Sequence, residues 1–255
     1  MTTEQQIVDT HAHLCARVFD PDRGEVIRRA LSAGVGSIVI VAETIADARR
    51  NIELAVEYPC LKPAGGLYPE YADMKEAARM LDFIRKQRHL LYAIGEVGLD
   101  FWIAKEDKAR ELQREIFRQF IRLGRELDLP VNVHSRSAGR HAVAMLKEES
   151  AARVQMHAFD GKAAAAMPAV EAGYFFSIPP SVVRSRQKQK LVKQLPLSCL
   201  LMESDSPVLG PDQEQRNEPA NILISVKAVA EIKDISYEAV LAAACENTVR
   251  LYGDL

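Results

Sequence analysis

Cysteine is scarce in this chain. There are 4 in 255 residues, Cys15, Cys60, Cys199 and Cys245, and no two form a C-x-x-C pair. That spacing argues against a zinc knuckle or a disulfide framework and for thiols kept reduced. Long apolar runs are missing too. The longest, residues 36–42, falls far short of a bilayer span, so no membrane helix is expected. Residues 1–6 lack the charged-then-apolar pattern of a secretory signal, which points to the cytosol or nucleus. Neither sign of charge is in excess: 33 Lys and Arg face 35 Asp and Glu, a net charge of -2. A global positive field is thereby excluded, and any polyanion must be held by a local site. Low-complexity tracts, linkers and composition shifts are absent as well. The whole of 1–255 is therefore expected to fold as one domain.

What the chain does have is alternation. Short β-branched runs at 7–13, 37–42, 61–66, 91–97, 130–134, 153–157, 173–177 and 199–203 read as strands. Helical patterns follow at 23–33, 45–58, 74–88, 105–127, 139–149, 163–172 and 184–195, with two more at 220–233 and 236–251. Alternating strand and helix implies parallel pairing through crossover helices. Eight such units in 255 residues suit a closed (β/α)8 TIM barrel. An open doubly wound sheet would want a glycine-rich phosphate turn after its first strand. Here that strand runs into Asp9-Thr10-His11-Ala12-His13 instead.

In a barrel the C-terminal ends of the strands converge on one face, where active sites sit. At those ends stand His11 and His13, Glu96, His134, His157, and Glu203-Ser204-Asp205. Four of the 6 histidines in the chain fall there. His11 and His13 are two apart in a strand and share a side. His11, His13, His134, His157, Glu96 and Asp205 form a donor set that suits borderline divalent ions such as Zn²⁺ or Mn²⁺. Six ligands exceed one tetrahedral ion and fit two cations about 3.5–4 Å apart, bridged by a carboxylate. His89 belongs to a surface stretch, whereas His141, opening the helix after strand five, is a more distant candidate for the site.

The blocks Asp9-Thr10-His11-Ala12-His13-Leu14, Gly95-Glu96-Val97-Gly98-Leu99-Asp100, Pro130–Arg136, Met156-His157-Ala158-Phe159, Glu203-Ser204-Asp205-Ser206-Pro207, Arg216-Asn217-Glu218-Pro219 and Asn247–Leu251 occur in the order found in TatD-family deoxyribonucleases. The chain resembles that family over nearly its whole length, and among its branches most the third animal paralogue. The resemblance implies an amidohydrolase-like barrel hydrolase that cuts phosphodiester bonds in DNA, exonuclease-like, with two divalent cations (Zn, Mg or Mn). By position, His11, His13 and Asp205 would hold one ion, His134 and His157 the other, and Glu96 would bridge them. Where the family usually reads His-Cys-Phe-Ser-Gly, this chain reads His157-Ala158-Phe159-Asp160-Gly161, which puts an extra negative charge near a phosphate site.

The expected chemistry is attack by metal-activated water, oriented or deprotonated by Asp205, with Glu96 as the second catalytic acid. Arg136, Arg216 and Asn217 are the candidate substrate contacts, with Ser135 and Ser181 weaker ones. Tyr68, Tyr71, Phe101 and Trp102 lie just past strand ends, where nucleobases can stack. No membrane or obligate protein partner is expected, and the chain reads as a monomer. The rival function is an amidohydrolase-type enzyme of an amide, lactone or phosphotriester. Such sites often bridge their metals with a modified lysine at strand four, where this chain has Glu96.

Overall fold

The computed structural model describes residues 6–255; the leader reading of residues 1–5 lies outside them. Eight strands are present: β1 (Ile7–Ala12), β2 (Val35–Ile40), β3 (Leu61–Gly65), β4 (Ala93–Gly98), β5 (Val131–His134), β6 (Val154–Met156), β7 (Phe175–Ile178) and β8 (Leu200–Met202). Each pairs in parallel with the next, in the order β1 to β8. The helices α1 (Arg23–Ser32), α2 (Ile45–Glu57), α3 (Met74–Lys86), α4 (Asp107–Leu127), α5 (Gly139–Glu148), α6 (Ala163–Glu171) and α7 (Arg186–Gln194) each follow a strand, and α8 (Ile222–Lys233) and α9 (Tyr237–Tyr252) follow β8. This is the TIM barrel anticipated from the alternation, with every expected element within two residues of its place. Short 3-10 turns, such as Pro69–Tyr71 and Pro180–Val183, appear where the sequence pattern predicts none.

Local chemistry explains the boundaries. Thr44 opens α2 with a capping box: its hydroxyl accepts from the Asp47 backbone N–H at 3.3 Å, and Asp47 accepts from the Thr44 N–H at 3.0 Å. Asp73, Ser185 and Ser236 cap α3, α7 and α9 with side chains that accept from first-turn N–H groups. Strand alternation then sorts the apolar residues into two cores. Ile38 and Ile40 face the helices, while Val39 and Val41 point inward. With Ala64, Ala93, Phe175 and Leu201 they fill the barrel floor, which Leu251 and Tyr252 at the end of α9 close from below.

Above that floor lies a buried polar layer of Thr10, Asn132, Gln155 and Ser177, and above it the carboxylates and imidazoles. The barrel seals at β8 and β1 partly through side chains. The Thr10 hydroxyl donates to the Met202 carbonyl at 2.9 Å, and Asp9 accepts from the Ser204 N–H at 2.8 Å. Two glycines let backbones crowd around β4. A Cβ on Gly66 would stand 2.4 Å from the Glu96 nitrogen, and one on Gly98, at φ 146°, would stand 2.1 Å from the His134 carbonyl oxygen.

Candidate metal centre

Five strand ends bring six donors together: His13, Glu96, His134, His157 and Asp205 line a cleft of about 620 Å³, and His11 lies buried beneath its wall. The chain leaving β8 hydrogen-bonds onto the end of β1: the Asp205 N–H donates to the His11 carbonyl at 2.9 Å and the His13 N–H to the Ser206 carbonyl at 2.8 Å. These bonds, with Asp205 held in the left-handed region at φ 55°, place its carboxylate beside both imidazoles. Glu96 is fixed by its own N–H donating to the Ala42 carbonyl at 3.0 Å, and His157 by its N–H donating to Val133 at 3.0 Å.

The donor atoms lie close together. His11 Nε2 and His13 Nε2 are 3.1 Å apart. Glu96 Oε2 is 3.8 Å from the first and 3.5 Å from the second, and Asp205 Oδ1 is 3.5 Å from each. A tetrahedral ion with ligands at 2.0–2.1 Å requires donor separations of about 3.3 Å, so His11, His13 and Asp205, at 3.1 to 3.5 Å from one another, already have nearly the required spacing. The other oxygens of the same carboxylates face the opposite side. Glu96 Oε1 lies 2.6 Å from His134 Nδ1 and 3.8 Å from His157 Nε2, and Asp205 Oδ2 lies 3.9 Å from His157 Nε2. Both acids therefore span the two halves.

The remaining ring nitrogens are held from behind, as metal-binding histidines usually are. His11 Nδ1 bonds the Asn132 side-chain oxygen at 2.9 Å, His157 Nδ1 bonds Glu203 at 2.8 Å, and His134 Nε2 bonds Asp100 at 3.2 Å. Asp100 is itself fixed by the Tyr68 hydroxyl and by the backbone N–H groups of Trp102 and Ile103. Burial and charge act against each other here. Burial, reinforced by neighbouring His157, pulls His11 down to about 4. For His13 burial opposes the proton, but Asp205 and Glu96 outweigh it and push the group up to about 9. His134 likewise reaches about 9 against its burial, through Glu96 and Asp100. Glu96 and Asp205 sit below the usual carboxylate range because the histidine charges more than offset their burial. In the absence of cations, protons balance the buried acids.

The expected substrate contacts divide. Arg136 lines the cleft, with its guanidinium 5.0 Å from the Trp102 ring centroid. Ser135 lines it too, its buried hydroxyl without a partner among the described residues. Arg216 and Asn217 are not among the residues that line it. The loop after β8 folds back onto α1, where Arg216 forks onto Asp22 at 2.8 and 2.5 Å and donates to the Val18 carbonyl. Asn217 is buried and donates to the Ser204 and Val208 carbonyls at 2.7 and 2.9 Å, so it braces the turn that carries Asp205. Ser181 is buried outside the cleft lining, and His141 packs on Phe101 at 5.2 Å. Tyr68 lines the cleft, whereas Tyr71 and Trp102 stand exposed at its edge. Asp160 accepts from the Ser137 N–H at 2.7 Å, so the unusual carboxylate ties two cleft loops together.

Sequence reasoning assigned no role to Asn132, Asp100, Glu203, Glu43 or Lys188. Glu43 and Lys188 line the cleft; Lys188 Nζ donates to the Ala158 carbonyl at 3.0 Å, and burial lowers its pKa. Glu203 lies two residues before Asp205, and Glu43 immediately follows the second expected strand. A search of strand ends for carboxylates that back histidines would have found Glu203.

Eight parallel strands with this donor set at their C-terminal ends define a metal-dependent hydrolase on a TIM barrel, an enzyme acting on ester bonds. The chain belongs to the TatD related DNase family, which it matches over residues 8–253. It is 45% identical over 261 residues to the human deoxyribonuclease TATDN3, covering 98% of this chain and 95% of that protein. The uncharacterized metal-dependent hydrolase YabD of Bacillus subtilis is 35% identical, covering 96% of this chain and 98% of YabD. Among solved structures, the TatD homologue YJJV of Escherichia coli superposes with a TM-score of 0.89 at 27% identity, over 98% of each chain. The described residues include no helix long and apolar enough to cross a membrane.

Proposed function

We propose that this protein hydrolyses phosphodiester bonds in DNA, removing nucleotides from strand ends, with two divalent cations (Zn, Mn or Mg) in the six-donor cleft. The observation carrying this reading is that Glu96 and Asp205 each present one oxygen to His11 or His13 and the other to His157 or His134. Four imidazoles and two carboxylates are a donor set suited to borderline divalent ions. His11, His13, Glu96 and Asp205 would hold one ion, and His134, His157 and Glu96 the other. When bound, the ions supply Lewis-acid chemistry, polarising the phosphoryl group and making water acidic enough to react near neutral pH.

The chain's own groups do the rest. Asp205 orients the attacking water and takes its proton. Arg136 offers a planar fork to a phosphate oxygen, and Lys188 adds a second cation on the cleft wall. A volume of about 620 Å³ is that of a small-molecule pocket, large enough for a terminal nucleotide and too small for a long duplex footprint. The TatD related DNase family and the human deoxyribonuclease it resembles support the same substrate. On this reading the protein works as one domain and a monomer in the cytosol or nucleus, where its four thiols stay unpaired.

The test uses end-labelled single- and double-stranded DNA with Mg²⁺, Mn²⁺ or Zn²⁺. Stepwise shortening that stops with EDTA is expected. Hydrolysis of lactones or amides with no cleavage of DNA would overturn the proposal in favour of a small-molecule amidohydrolase.

A further inference from the structure

Below the cleft, one line of hydrogen bonds joins two of the imidazoles by way of the C-terminal helix. His11 Nδ1 lies 2.9 Å from the Asn132 oxygen. The Asn132 amide donates to the Thr10 carbonyl at 3.0 Å and to the Tyr252 hydroxyl at 3.3 Å. Tyr252 donates to the Gln155 oxygen at 2.5 Å, and Gln155 donates to the Ser177 hydroxyl at 2.8 Å. Ser177 donates to Glu203 at 2.5 Å, and that same Glu203 oxygen meets His157 Nδ1 at 2.8 Å. All of these groups are buried.

With Glu203 as a carboxylate, the proton count gives one arrangement. The Asn132 nitrogen has both hydrogens committed, so its oxygen must accept, and His11 must carry its proton on Nδ1. Glu203 can only accept when ionised, so His157 also carries its proton on Nδ1. Both rings are thereby left with Nε2 lone pairs aimed into the cleft. Every donor in the line points from His11 toward Glu203. The Tyr252 hydroxyl is the middle link, accepting from one side and donating to the other, and phenylalanine cannot do either. Helix α9 is anchored at this point, because Arg153 donates to the Leu251 carbonyl at 2.9 and 2.6 Å.

We propose that Tyr252 is a positioning residue for the metal centre, its hydroxyl orienting Asn132 and Gln155 and through them the His11 and His157 imidazoles for cation binding. The inference rests on the assignment of those histidines as ligands. Loss of groups that support a ligand from behind typically weakens metal binding 10–100-fold.

Calorimetric titration of the metal-free protein with Mn²⁺ tests it. Tyr252→Phe should bind about tenfold more weakly than the wild type, and the visible spectrum of its Co²⁺ form should change. At saturating metal, KM for DNA should stay near wild type. Tyr237→Phe, on the same helix but outside the line, should bind normally. Ser177→Ala removes a smaller link and serves if Tyr252→Phe does not fold; it should also weaken binding. A change of less than about twofold in the folded variant overturns the inference, as does a Co²⁺ spectrum identical to wild type. A wild-type protein that takes up no Mn²⁺ would instead overturn the ligand assignment, and this inference with it.

Discussion

On the β1 and β8 side of the cleft, His11, His13 and Asp205 present donor atoms 3.1 to 3.5 Å apart. On the β5 and β6 side the spacing is uneven: His134 sits 2.6 Å from Glu96, while His157 stands 3.8 Å from the same oxygen. The first half is shaped for a cation in advance. The second is closed by a hydrogen bond that bound metal would have to replace. Preorganisation differs because the first half is locked by backbone bonds between β1 and the β8 turn. His134 is held through Asp100, whose partner Tyr68 reaches in from a different loop. The two halves should therefore differ in affinity, filling in order, with the β5 and β6 ion the more exchangeable.

The largest effects should come from the groups the halves share. Glu96→Ala removes the ligand common to both ions and Asp205→Ala removes a ligand together with the base, so each should lower turnover at least about 10³-fold, with the far-ultraviolet circular dichroism unchanged. If either variant kept one ion and substantial turnover, the sharing would be disproved. Next come the ligands peculiar to each half. His134→Ala should retain about one metal per chain and lose about 10²-fold in turnover, whereas His11→Ala should retain less than one. Elemental analysis after dialysis reads both, and equal losses would erase the distinction between the halves.

A smaller contrast separates the two arginines. Arg136→Ala should raise KM about tenfold, as expected for loss of a charge-assisted phosphate contact. Arg216→Ala removes a peripheral pair with Asp22 and should change KM less than about threefold. The reverse order would return Arg216 to the substrate path.

Smallest is the response to pH. His13 and His134 are raised to about 9 from the ordinary 6.5, so their protons stabilise the metal-free fold. That contribution is complete below pH 6.5 and drains away as pH climbs through 9. Asp9, which burial raises to about 8 from 3.8, loses its contribution between those two values, so up to pH 8 it adds to the same fall. The metal-free Tm should fall by a few degrees over this window, while the rise in Tm on adding metal should grow, because cations displace the same protons. A metal-free Tm that rises between pH 6.5 and 9 would contradict the charge balance on both sides of the cleft.

The barrel and its six donors were legible because they depend on period and position. Alternation places His11 with His13, and strand ends gather Glu96, His134, His157 and Asp205. What the sequence hid depends on where loops turn. Nothing in Arg216-Asn217 reveals that the loop doubles back onto Asp22, since an arginine in a mouth loop and one in a side pair look alike in one dimension. Asn132, Gln155 and Ser177 were illegible for another reason. A polar residue inside an apolar strand resembles a disruption until its partners, contributed by distant strands, are known.

The cleft draws on residues from position 11 near one end of β1 to Tyr252 in the last turn of α9. During synthesis, then, the nascent chain cannot complete the line of hydrogen bonds below the cleft until α9 has emerged and docked under the barrel. An incomplete translation product would carry the histidines yet hold cations poorly. Bound metal would thus report that α9 has been made and has docked.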